Sequence, residues 1–309
     1  MSELSAVIQV GLPSGGELEI VRRRFGAGDD GSPRVVIVAG IRGDAPEGIR
    51  VAHRVATALS EVEDRLKGTV DIYPCANPLA AHKGDRLWPF FDVDLNRMFP
   101  GQSDGHPPDR VAHALFNDVR GATQVIELRG ARASFSEVPH AQVRHRDDAA
   151  AELAAWANVR VVWCRRPGPA AAGTFAHQFP GTVVLEGGTG NRLLPGIGET
   201  LSDGVLSLIS RLGIIDEPDL PFHWAGLDRP VRVTDEQVIR MRAESGGLFL
   251  PHGEIWAEVE PGDLLGEVID PLNGEIREEI RCTAHGHVMA MRDHPVVYPG
   301  SMVARVVVA

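Results

Sequence analysis

Short apolar runs alternate with helical periodicity across the first two thirds of this chain, which restricts it to a sheet covered on both faces. Val35-Val36-Ile37-Val38-Ala39 is unbroken, mostly β-branched and followed by a glycine-containing turn. It predicts a strand buried on both sides. Ile49, Ala52, Val55, Ala56 and Leu59 then recur at helical spacing, predicting an amphipathic helix over 46–59. Further strands are expected at 69–73, 124–128, 159–164 and 182–185, and further helices at 111–119, 152–157 and 204–212. The fold class that follows is α/β.

The segment 216–230 carries three prolines and little periodicity, so a boundary is expected there. Beyond it lie short strand-like runs at 247–250, 264–269, 287–291 and 302–308, separated by turns such as Pro261-Gly262-Asp263 and Asn273-Gly274. The expected organisation is a larger domain over 1–222 and a smaller β-rich domain over 223–309. With 309 residues the chain is long enough for both.

The net charge of -11 argues against nucleic acid or an anionic membrane as partner. The three cysteines are far apart and form no disulfide framework. No signal peptide or membrane-length apolar run is visible, so a cytoplasmic protein is expected. The sequence leaves a homo-oligomer open.

The strongest chemical signal is Asp94-Leu95-Asn96-Arg97-Met98-Phe99-Pro100-Gly101, preceded by Gly84-Asp85-Arg86. Arg97 offers two N–H donors to one carboxylate and Asn96 a third. Arg86 is placed to converge on the same pocket. The plainer reading is an arginine paired with Asp92 or Asp94 to fix the loop. A small molecule bearing a carboxylate is the expected partner.

Cys75-Ala76-Asn77-Pro78-Leu79, Arg86 and the DLNR-FPG run together resemble the signature of the succinylglutamate desuccinylase/aspartoacylase family, within the zinc-carboxypeptidase-like superfamily. The resemblance extends to residues 40–48, 124–130 and 180–188, and to the GGLF and EPGDLLGEVID segments near the C-terminus. It implies a mixed-sheet α/β/α domain with a second, smaller β-rich domain. It also implies hydrolysis of an N-acyl amino acid, with zinc activating water and a glutamate as base. By position, Asn96 and Arg97 would bind the substrate carboxylate, and Arg86 would stabilise the oxyanion or help bind that carboxylate. Glu186 would be the base.

The family's zinc ligands are nevertheless missing. Its first metal loop reads His-Gly-Asp-Glu, whereas this chain has Arg42-Gly43-Asp44-Ala45. Its third ligand ends an Asp-Leu-His run, which here is Glu127-Leu128-Arg129. Arginine stays protonated and has no lone pair to give a metal. No cofactor is therefore expected. Arg42 and Arg129 are expected to fill the zinc cavity beside Glu186 and Glu127, or else to form ion pairs with those glutamates.

Without zinc, nothing lowers the pKa of a bound water from about 15.7 to about 7. Three readings follow. The first is a metal-independent enzyme acting on an acidic or N-acylated amino-acid-like molecule, with Glu186 as base and Arg42, Arg129 and Arg86 stabilising negative charge. The second is a non-catalytic anion binder. The third is a zinc amidohydrolase with substitute ligands, drawn first from Glu47, His140 and Glu127 and then from His53, His82 and Cys75.

Overall fold

The computed structural model describes residues 3–27, 31–220 and 229–308. A hairpin of β1 (Glu3–Gly11) and β2 (Glu17–Phe25) leads to β3 (Arg34–Ala39), α1 (Pro46–Glu61) and β4 (Thr69–Tyr73). There follow α2 (Pro78–Lys83), α3 (Pro107–Val119), β5 (Gln124–Leu128) and β6 (Phe135–Arg144). Next come α4 (Asp148–Ala154), β7 (Val161–Arg165), α5 (Phe175–Gln178), β8 (Val183–Thr189) and α6 (Pro195–Arg211). The remaining strands begin with β9 (Val231–Thr234), β10 (Val238–Arg242), β11 (Gly247–Pro251) and β12 (Glu258–Val259). They end with β13 (Leu264–Ile269), β14 (Ile276–Arg281), β15 (Gly286–Arg292), β16 (Val296–Val297) and β17 (Met302–Val307).

Successive side chains of a strand point to opposite faces, and β3 shows how this builds the layers. Val35, Ile37 and Ala39 pack with the apolar stripes of α1, α4 and α6. Val36 and Val38 pack on the other face, with Val111, Leu115 and Val119 of α3. The expected α/β architecture is present, with strands β4, β3, β5 and β8 parallel in that order. α6 begins nine residues before the expected start at 204. Glycines at 196, 198 and 204 hide its periodicity, yet Gly204 is needed: a Cβ there would lie 1.9 Å from the carbonyl oxygen of Ala157.

A ten-residue strand, β6, joins the two halves. Its first residues pair with β15, its last five with β7, and its other edge runs antiparallel to β8. Strands β10, β15 and β17 thus extend the large mixed sheet, and β14-β13-β11-β16 form a second, antiparallel one. The expected boundary between 222 and 223 lies outside the described residues. Among the described residues no helix is long and apolar enough to cross a membrane.

Asp71, fully buried on β4, ties the edge of the sheet together. It accepts two 2.7 Å bonds from Arg24 and one of 2.7 Å from Arg34. Burial alone would raise its pKa, but the two guanidinium groups outweigh it and hold the carboxyl below its usual range. A depressed carboxyl pKa contributes stability that is complete above the unfolded value of about 3.9. That stability is lost as pH falls through the folded value. Charge-assisted bonds of this kind are worth about 1.5–3 kcal/mol. Asp71→Asn should lower urea-unfolding stability by that amount at neutral pH and flatten the dependence on acid.

Candidate active site

A cavity of 490 Å³ opens where β3 and β5 end, with β6, β7 and β8 contributing its wall. Among the described residues eight arginines line it, namely Arg42, Arg86, Arg97, Arg129, Arg132, Arg144, Arg165 and Arg166, and the only lining carboxylate is Glu186. In a chain of net charge -11 this is a strong local reversal of sign.

Arg42 sits on the loop after β3. Gly43 lets that loop press onto α2, since a Cβ there would lie 2.0 Å from the carbonyl carbon of Ala80. Among the described residues the Arg42 side chain makes no ion pair or hydrogen bond, and its Nε is buried without a partner. Burial, then repulsion from Arg129 and Arg86, pushes its pKa down to about 10, so it remains charged at neutral pH. Arg129 instead donates a fork to Glu127, with bonds of 2.5 and 2.7 Å. Burial opposes its charge, but that carboxylate more than compensates and raises its pKa. The ion-pair expectation thus holds for Arg129, while Arg42 stands free.

Glu186 is almost completely buried on β8, and one of its oxygens accepts a 2.9 Å bond from the side-chain amide of Gln142. Arg165 donates to the carbonyl of that amide at 2.9 Å, which fixes its orientation. Burial disfavours the charged carboxylate, but the positive fields of His140, Arg129, Arg42 and Arg132 prevail. Glu186 is therefore held below the usual carboxyl range and is ionised at neutral pH.

The DLNR loop is partly as expected. Arg86 and Arg97 both line the cavity. Arg86 spends Nε and one terminal nitrogen on Asp94, at 2.9 and 2.6 Å, which is the loop-fixing alternative. Arg97 donates to the carbonyl of Ala170 at 2.6 Å, and its Nε lies 3.9 Å from Asp94. Asn96 is not among the lining residues. It is fully buried, and its carbonyl accepts the backbone N–H of Phe175 at 2.9 Å. The segment carrying Phe175 covers it, and its amide nitrogen has no partner.

Glu137, His140 and Glu186 form a buried group whose ligand atoms lie within 4.8 Å of one another, a set able to hold a metal ion. Of the substitute ligands named from sequence, only His140 belongs to it. Glu47 caps another region, accepting from the backbone of Leu194 at 2.8 Å, and both oxygens of Glu127 are held by Arg129. Within the trio, Glu137 is paired with buried Arg305 at 3.1 Å, and the amide nitrogen of Gln142 lies 3.1 Å from Nε2 of His140.

Sequence reasoning missed Glu137, Gln142, Arg132, Arg144, Arg165 and Arg166. The first two and Arg144 lie on β6, a strand not foreseen. The doublet Arg165-Arg166 at the end of an expected strand was the one usable signal.

The succinylglutamate desuccinylase/aspartoacylase catalytic domain, as a family model, matches residues 31–212. A curated N-α-acetyl-L-2,4-diaminobutyric acid deacetylase of Halomonas elongata is 30% identical over 118 residues, which is 38% of this chain and 34% of that relative. The chain thus spans about a third of the length of the curated relative it matches. Among solved structures, the product-bound ectoine utilization protein EutE (DoeB) of Ruegeria pomeroyi is similar, with a TM-score of 0.83 and 22% identity. The match covers 98% of this chain and 93% of that one. A succinylglutamate desuccinylase of Silicibacter sp. TM1040 gives 0.85 at 18% identity, covering 99% and 95%. At these identities the structures establish the shared fold.

Proposed function

This chain belongs to the succinylglutamate desuccinylase/aspartoacylase family, and we propose that it is a metal-independent enzyme acting on an acidic or N-acylated amino-acid-like small molecule. The observation that carries this reading is Arg42, a largely buried cation with no ion-pair partner among the described residues, set near an ionised buried glutamate. A cation left in that state is matched by an anionic ligand or a developing oxyanion.

Zinc does not fit the family's own ligand frame here. Arg42, Ala45 and Arg129 offer no lone pair, and the oxygens of Glu127 are already held by Arg129. The chemistry is therefore assigned to side chains alone. Arg97, with Arg86, holds the substrate carboxylate, and Asn96 supports that wall by fixing the segment at Phe175. The acyl carbonyl oxygen faces Arg42 and Arg129. As water adds to the carbonyl carbon, its proton passes to Glu186 and the negative charge on oxygen is met by the guanidinium groups. The C–N bond then breaks and the proton returns to the leaving amine.

A carboxylate of lowered pKa is a weak base. A bound substrate anion offsets part of the arginine field and brings the Glu186 pKa back up, so base strength rises when substrate is present. The deacetylase named among the relatives supports an acylated amine as the bond broken. The test is release of primary amine from a panel of N-acyl amino acids by exhaustively chelated protein. Turnover should be unchanged by chelation. No amine release, or release only after zinc is restored, would overturn the reading.

Two observations favour other readings. The lowered pKa of Glu186 suits a non-catalytic anion binder. The trio Glu137, His140 and Glu186 suits a zinc-dependent N-acyl amino acid amidohydrolase with substitute ligands. Against that last reading, Gln142 and Arg305 already engage the trio, and the guanidinium groups around Glu186 repel a dication.

A further inference from the structure

We propose that Gln142 and Arg165 are positioning residues for Glu186: Arg165 fixes which end of the Gln142 amide faces the carboxylate, and Gln142 in turn holds that carboxylate at the cavity. This rests on Glu186 as the base of the proposed reaction. The register of the sheet brings the three together. On β6 and β8, the pair Gln142 and Val184 is the next on the cavity face after His140 and Glu186. On β7, Trp163 pairs with Gln142 and Arg165 stands two residues further along the same face.

Donors and acceptors make this network directional. A guanidinium group only donates, so the Gln142 atom 2.9 Å from Nη1 of Arg165 is the carbonyl oxygen. The amide nitrogen then faces inward, 2.9 Å from one oxygen of Glu186 and 3.1 Å from Nε2 of His140. A flipped amide would set N–H against guanidinium and oxygen against carboxylate, two repulsive contacts in a largely buried site. Among the described residues no other hydrogen bond reaches Glu186, so its second oxygen is the one left to receive a proton.

Arg165 is itself held in place. Its guanidinium carbon lies 4.4 Å from the centre of the Trp163 ring, and its Nε lies 3.9 Å from Asp235. Asp235 accepts the indole N–H of Trp163 at 3.1 Å and the backbone N–H of Arg166 at 2.8 Å. It directly follows β9, so a segment beyond the expected domain boundary braces the arginine that orients the amide. Gln142 carries no charge and stands apart from Arg86 and Arg97, which hold the substrate carboxylate in the proposed reaction. Its loss therefore acts on the base and spares substrate binding.

Steady-state amine release by chelated protein tests this with Gln142→Met, Arg165→Met, the double variant and Arg165→Lys. Gln142→Met should lower kcat by about 10²-fold, the cost of a misplaced reacting group, with KM unchanged. Arg165→Met should also lower kcat, and the double variant should lose no more than Gln142→Met alone, because the two residues act in series. Arg165→Lys keeps a donor-only cation and should recover most of the kcat lost in Arg165→Met. In the unaltered protein the side-chain amide protons of Gln142 should exchange slowly with solvent, a readout that needs no variant. A kcat that survives Gln142→Met, losses that multiply in the double variant, or rapid exchange of those protons would overturn the positioning roles and leave the proposed function intact. Unaltered protein that releases no amine would overturn both.

Discussion

Glu186→Gln should reduce turnover by about 10²–10⁴-fold, the usual contribution of a positioned general base. It should leave anion binding intact or make it tighter. The two effects have opposite signs for one physical reason. Among the described residues the carboxylate is the only acid lining the cavity, so under the proposed function it supplies the base, and it also attenuates the surrounding positive field. Glutamine keeps the side-chain oxygen that accepts from Gln142, and thus the geometry of β6 against β8. It cannot take a proton, and it no longer offsets the arginines. A binder without catalysis would show the binding change alone. The measurement is amine release beside calorimetric affinity for one carboxylate ligand. Retained turnover would remove Glu186 from its role.

Arg42→Met should act in opposite directions on stability and function. Among the described residues the guanidinium group has no acid partner, and burial first, then repulsion from Arg129 and Arg86, lowers its pKa to about 10 against the pull of Glu186 and Glu127. Replacing it with an apolar chain of similar length removes that repulsion and a buried, unpartnered Nε. Thermal unfolding of the ligand-free variant should therefore shift upward. The lost donor fork should weaken carboxylate binding by about 10- to 150-fold, corresponding to the 1.5–3 kcal/mol of charge-assisted bonds. Turnover should drop by about 10²–10³-fold, as for loss of one oxyanion donor. A structural arginine would behave otherwise, with stability falling and binding unaffected.

Much of the fold was legible because its central strands are buried on both faces. After Arg34 and Gln124 at their first positions, β3 and β5 are apolar runs apart from the acid at position 127, and α1 carries a full apolar stripe. The DLNR loop was legible as a motif, and Arg42 and Arg129 stood out against the family pattern. What failed was β6. Glu137, Pro139, His140 and Gln142 interrupt its hydrophobicity, and a proline argues against a central strand. The ladder with β8 accommodates Pro139 by a register shift between Glu137 and His140. The polar groups are tolerated because Gln142 engages both His140 and Glu186, and Glu137 pairs with Arg305, which no local pattern encodes. Functional strands break the rules by which strands are recognised. The partners of the arginines were also hidden. Nothing in the sequence says that Arg129 closes on Glu127 while Arg42 is left open, since that depends on how the ends of β3 and β5 meet.

Under the proposed function, fixed positive charge from Arg42, with Arg129 beside it, does at the cavity floor what a bound dication does in zinc enzymes. Elemental analysis of the protein, after dialysis first against excess zinc and then against metal-free buffer, tests it most directly. The expected result is far less than one zinc per chain, with amine release unaffected. One tightly held zinc per chain, lost in Glu137→Gln or His140→Ala protein together with activity, would contradict it.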